Sequence, residues 1–178
     1  MNSQTLYQRL LGKDFSKLPV ILQQFHGLPE GGCADGVISV ERGAGVLRHV
    51  AAQFLGLPNA GKEVPLRLQV IPEDGREIWI RHFDGQSLKT LQWQEGSYLV
   101  EKAGPLHLFF ELAADERGLT FYPRLNRMRG IQVPDPISLR VNANARGLGN
   151  CWNIEVTITA PLLGTITTYK GEITPQLC

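Results

Sequence analysis

Hydrophobic positions follow two rhythms in this chain, and the change comes near residue 58. Before it, apolar residues mostly recur every three to four positions, the spacing that lines one face of an α-helix. After it they alternate, the spacing that lines one face of a strand. Leu6, Leu10 and Leu11 share a helical face, and Gly12 is placed to end that helix. Val20, Ile21, Leu22 and Phe25 define a second short helix, with Pro19 in its first turn and Gly27 just past its end. Residues 35–42 alternate as a strand. Residues 44–55 return to the helical period: Val46, Leu47, Val50, Ala51, Phe54 and Leu55 form a wide apolar stripe, Gly56 caps it and Pro58 forbids its continuation.

Nine alternating segments follow, at 64–71, 77–83, 86–93, 97–103, 106–113, 118–128, 137–145, 151–159 and 165–173. Turn residues punctuate them, among them Asp74-Gly75, Asp84-Gly85, Glu95-Gly96, Gly104-Pro105 and Gly147-Leu148-Gly149. Joints this short connect antiparallel neighbours, because a parallel crossover takes a dozen residues or more. A sheet of so many strands tends to curl. The expected fold is α+β: a large, strongly curved antiparallel β-sheet or partly closed barrel, with the N-terminal helices packed on one face or plugging one end. No repeat, low-complexity tract or linker divides the chain, so residues 1–178 read as a single domain.

Composition narrows the function classes. Eighteen lysines and arginines stand against 17 acids, a net charge of +1, which takes nucleic acid off the list of default partners. Cys33, Cys151 and Cys178 are odd in number, far apart and without CxxC spacing; they read as free thiols in a reducing compartment and not as a zinc site. Gln8, Arg9, Lys13 and Asp14 interrupt the N-terminal segment, so no secretory signal or transmembrane helix is expected and the cytoplasm is the expected location.

One stretch invites a nucleotide-binding reading. Gly43-Ala44-Gly45 lies between a strand and a helix, as a phosphate-binding loop does. The third glycine of a dinucleotide fingerprint is replaced by Arg48, whose side chain would obstruct close helix–strand packing, and a hairpin meander follows in place of a parallel crossover. No glycine loop is followed by lysine and then serine or threonine, so a P-loop is absent too. The two glycines are read as a sharp strand-to-helix turn.

The run from Glu41-Arg42-Gly43-Ala44-Gly45 to Gly56-Leu57-Pro58, followed by Trp79-Ile80-Arg81 with Phe83-Asp84-Gly85, Pro161-Leu162-Leu163-Gly164 and Tyr169-Lys170-Gly171, resembles domain-of-unknown-function family 4166 over roughly residues 17–175. The resemblance implies a domain found alone or fused behind a saccharopine-dehydrogenase-like, nucleotide-binding domain. It supplies no established activity, and any redox chemistry would need another chain.

Trp79, Arg81 and Phe83 alternate onto one face of a strand. With two-residue turns at Asp84-Gly85 and Glu95-Gly96, Trp79 lies opposite Thr90 and Thr90 opposite Glu101. Arg81 and Glu101 then share that face, within reach of each other. An arginine between aromatic rings with a glutamate nearby could hold a carboxylate or phosphate; the alternatives are a structural ion pair bracing the concave side of the sheet, or a solvated face. The candidate ligand site is Trp79, Arg81, Phe83, Glu101 and Tyr169. His82 and Asp84 make a poor metal pair, and His107 with Glu111 or Glu101 is the one acid–base pairing to weigh. His26 reads as a helix cap. Five arginines, at 124, 127, 129, 140 and 146, outnumber Asp135 in their stretch and form either an anion-binding rim or a solvated edge. The apolar turn at Leu162 and Leu163 marks a contact or a core element.

Three functions remain open. The first is a binding module that takes a small apolar carboxylate into the curved sheet. The second is an accessory domain for a dehydrogenase-like partner, with no ligand of its own, and the third an enzyme. No catalytic residue, metal or cofactor is assigned.

Overall fold

The computed structural model describes residues 4–178. Ten antiparallel strands close into a barrel. They are β1 (Gly32–Arg42), β2 (Gly61–Glu73), β3 (Arg76–Phe83), β4 (Gln86–Glu95), β5 (Tyr98–Ala103), β6 (Leu106–Asp115), β7 (Gly118–Met128), β9 (Arg140–Leu148), β10 (Cys151–Ala160) and β11 (Gly164–Gln176). Each strand pairs with the next, and β11 returns to β1, so the expected curved sheet closes fully. A two-residue strand, β8 (Ile131–Gln132), adds to the edge of β7. Alternation places one side-chain set of every strand inside the barrel, where full closure removes the exposed edges of an open sheet.

The N-terminal helices α1 (Leu6–Leu11) and α2 (Val20–His26), joined by a 3₁₀ segment (Gly12–Lys17), plug one end. Thr5 starts α1 with a capping box: Gln8 N–H donates to its hydroxyl oxygen, and Thr5 N–H donates to Gln8 Oε1 at 2.9 Å. The same hydroxyl donates to the His26 carbonyl at 2.7 Å and ties α1 to α2. Arg9 Nη2 reaches the Gly75 carbonyl in the β2–β3 turn. α2 enters against β9 where residue 147 has no side chain; a Cβ there would stand 2.3 Å from Pro19 Cβ. Leu6, Tyr7, Leu18, Leu22 and Phe25 are buried by this packing.

The other end carries α3 (Val46–Phe54), between β1 and β2. Arg42 holds the segment after it by donating to the carbonyls of Leu57 and Pro58. Gly43 lets β1 turn into α3: a Cβ would lie 2.1 Å from the Thr165 carbonyl oxygen, and Gly45 adopts φ +109°. α3 buries only Ala52, while Val46, Leu47, Val50 and Phe54 are 55–79% exposed. Ala51 and Leu55 pack against the small core beneath the helix, and the rest of its apolar stripe faces solvent.

The barrel wall is weakest between β7 and β9, which pair only from Gly118 to Phe121. Beyond that point Asn126 stitches the seam. Its buried amide donates to Ser138 Oγ and the Leu139 carbonyl, and its own carbonyl accepts from Val133 N–H. A 3₁₀ turn (Asp135–Ile137) occupies the start of the strand expected at 137, so β9 begins at Arg140.

Two expectations need correction. Cys33 and Cys178 form a disulfide across 145 residues, and among the described residues only Cys151 is free. The free-thiol argument for a reducing compartment therefore falls for two of the three cysteines. The β4–β5 turn is Gly96-Ser97, one residue later than expected, so Gln92 and not Thr90 lies opposite Glu101. Among the described residues no helix is long and apolar enough to cross a membrane.

Candidate functional site

Inside the barrel lies a cavity of about 170 Å³, between the helical plug and the α3 end. Tyr7, Phe25 and His26 form its floor, Leu55, Leu57 and Leu139 lie toward the α3 end, and aliphatic and aromatic side chains make most of the wall. One polar seam crosses it, supplied by three consecutive strands. β3 contributes Arg81, β4 contributes Thr90 and Gln92, and β5 contributes Glu101.

Hairpin register makes that seam. Trp79 lies opposite Thr90, and Gln92 opposite Glu101, so alternation turns all of them inward with Arg81 and Phe83. Arg81 Nη1 donates to Thr90 Oγ1 at 3.0 Å and to Glu101 Oε1 at 3.1 Å. The guanidinium lies 5.2 Å from the Trp79 ring centroid. Trp79 Nε1 donates to Glu77 Oε2 at 3.0 Å, which fixes the indole. Tyr7 O–H donates to Gln92 Oε1 at 2.9 Å and links the plug to the seam. Phe83 and Tyr169 pack edge to face, with centroids 6.1 Å apart.

In the cavity lining one positive side chain, Arg81, faces one negative one, Glu101, with the buried Glu77 just behind Trp79. Burial opposes the positive charge of Arg81, but Glu101 at hydrogen-bond distance and nearby Tyr169 more than offset it and raise its pKa. Burial pushes the Tyr169 phenol up, against the pull of Arg81. Tyr7 is raised well above the ordinary tyrosine range by burial and by the negative charges of Glu77 and Glu101. Burial lowers His26 to about 3, so it is a neutral imidazole in this wall. Burial raises Glu77, while the Trp79 hydrogen bond works against that rise.

All five expected residues, Trp79, Arg81, Phe83, Glu101 and Tyr169, line the cavity. His26, read from sequence as a cap, belongs there too: its ring lies tilted 4.1 Å from Tyr7 and stacks 5.9 Å from Trp79. Its signal was adjacency to Phe25 on a buried helical face. Tyr7 and Gln92 were also missed, though both sit at inward positions of their elements.

The other candidates lie elsewhere. His107 faces outward opposite Lys102 and packs edge-on to Trp93, while Glu101 bonds Arg81 and Glu111 pairs with Arg124. His82 bonds Ser87 at 2.7 Å on an exposed surface, and no three metal-ligand side chains gather among the described residues. Arg127 pairs with Glu95 and lies 4.6 Å from the Phe109 ring, so two of the five clustered arginines brace the outer wall. Leu162 is exposed at its turn, and Leu163 packs on the small core beneath α3.

The model of the family described as "Domain of unknown function (DUF4166)" matches residues 18–173. The chain belongs to the DUF4166 family. No curated protein matches the chain. Among solved structures, the barrel resembles a protein of unknown function from the DUF3598 family of Nostoc punctiforme, with a TM-score of 0.54 at 8% identity. That likeness covers 82% of this chain and 47% of the other, so this DUF4166 chain spans about half the length of the protein it matches. At that identity the likeness concerns the fold alone.

Proposed function

We propose that this DUF4166 chain is a binding module whose barrel takes in a small, largely apolar molecule and holds its polar end at Arg81. The observation that carries this reading is the cavity itself, with a mostly apolar lining and a seam in which Arg81, Thr90 and Glu101 converge. Binding pockets generally combine an apolar wall with a few placed polar groups. A dry apolar cavity of about 150 Å³ accommodates benzene. A volume of about 170 Å³ thus suits one ring or a short branched chain. Arg81 alone would suggest an acid. With Glu101 beside it, the polar end is defined as a hydrogen-bond acceptor.

A second reading rests on the exposed stripe of α3 with Leu162: an accessory domain docking on a dehydrogenase-like partner. The enzyme reading has less support, because His107 is outside the barrel and bonded to neither glutamate.

Native mass spectrometry of freshly purified protein tests the first reading. A small co-purifying mass is expected on the wild-type chain and lost in Ala143→Phe, which fills the cavity from β9. A bare chain mass in both would count against it. Arg81→Met is the weaker test, because it strands Glu101 in the barrel without its partner and so disturbs the fold as well as the site.

A further inference from the structure

Arg81 and Glu101 are the only formally charged side chains among the described residues lining the cavity, and they are paired with each other at 3.1 Å. His26, also in the wall, is neutral. The lining therefore carries one positive and one negative charge and sums to zero. Its hydrogen-bonding capacity is not balanced in the same way. A guanidinium has five N–H donors. Among the described residues, Arg81 uses only Nη1, toward Thr90 and Glu101. Nε and Nη2 remain as donors, with Tyr169 O–H nearby in the same wall.

Resting on the binding-module reading, we propose that the cavity selects uncharged ligands bearing a hydrogen-bond acceptor, such as an amide or ketone, and discriminates against carboxylates and cations of the same shape. A carboxylate brought to Arg81 would meet Glu101 at the same guanidinium and leave a net negative charge in an apolar enclosure. A cation brought to Glu101 would leave a net positive one. An uncompensated buried charge costs several kcal/mol, more than one extra charge-assisted hydrogen bond returns. A neutral carbonyl accepts from Arg81 and disturbs neither partner. The Arg81–Glu101 pair thus acts as a specificity device: it offers donors without offering charge.

Benzamide, benzoate and benzamidinium have nearly the same shape and differ in charge, with toluene as the head-free control. Isothermal titration with each probe is the test. Benzamide is expected to bind at least about tenfold more tightly than either ion, a gap of about 1.4 kcal/mol, and more tightly than toluene. Glu101→Gln removes the counter-charge, so benzoate is expected to gain on benzamide in that variant and benzamidinium to lose further. Should Glu101→Gln fail to fold, lowering the pH with wild-type protein serves instead. Benzoate is expected to gain affinity as it takes up a proton, because its neutral form is the one that fits. Benzoate binding as tightly as benzamide to the wild type, with no gain on acidification, overturns the charge rule and leaves the binding module standing. Failure of all four probes to bind overturns both.

Discussion

The two ends of the barrel are closed by short helices of similar apolar content, and they behave in opposite ways. At the plugged end, α1 and α2 bury Tyr7 and Leu22 completely and Phe25 nearly so. At the other end α3 buries Ala52 and turns Val46, Leu47, Val50 and Phe54 to solvent. An apolar stripe on a helix reports that a face wants cover; it does not report whether the chain itself supplies the cover. The plug is part of the core, anchored by a capping box, the Tyr7–Gln92 bond and the Thr5–His26 bond. α3 rests on a small separate core of Ala52, Leu57, Ile158, Ala160 and Ile166. Stability is concentrated at one end of the cavity, and the end nearer solvent is held more lightly.

The largest expected effect separates the two ends. Leu22→Ala opens a void in a fully buried site and is expected to cost about 2–5 kcal/mol in chemical denaturation. A loss below about 1 kcal/mol would mean that the plug is not core.

The next effect concerns pH and also belongs to the plug. Burial places the folded pKa of His26 at about 3, below the ordinary histidine value of 6.5. Protonation therefore favours the unfolded chain. The contribution from the neutral ring is complete above 6.5 and is lost as pH falls toward 3, by about 1.4 kcal/mol per pH unit. His26→Phe is expected to flatten the stability profile in that window. An unchanged slope would place the imidazole in contact with water.

The smallest effect is at α3. Phe54→Ser is expected to change stability by no more than about 0.5 kcal/mol, because the ring is already 72% exposed. A loss comparable to that of Leu22→Ala would erase the contrast.

Much of this architecture was legible in the sequence because alternation is a strong signal. The ten barrel strands match the ten alternating segments, with shifts of a few residues at their ends. The convergence of Arg81 and Glu101 was legible for a less obvious reason. Moving the β4–β5 turn to Gly96-Ser97 changed the residue opposite Glu101 from Thr90 to Gln92, a slip of two, and a slip of two preserves the face. A slip of one would have put Glu101 outside. His26 was not legible, since a histidine before Gly27 reads as a cap until Tyr7 and Trp79 are folded onto it. The Cys33–Cys178 bond was hidden by its separation: β1 and β11 are neighbours only because the barrel closes. The seam at Asn126 was illegible for a different reason: its partners Ser138 and Leu139 are close in sequence but lie in the irregular segment before β9, where alternation carries no pairing signal.

Two apolar surfaces are available to a small molecule, the enclosed cavity and the open stripe on α3, and the proposed site is the cavity. Methyl-resolved NMR titration with benzamide distinguishes them directly. The predicted result is a saturable set of shifts on Leu66, Leu108, Ile154 and the Trp79 indole, with Val46, Leu47, Val50 and Leu162 unmoved. Shifts confined to Val46, Leu47, Val50 and Leu162, with the interior methyls unmoved, would contradict it.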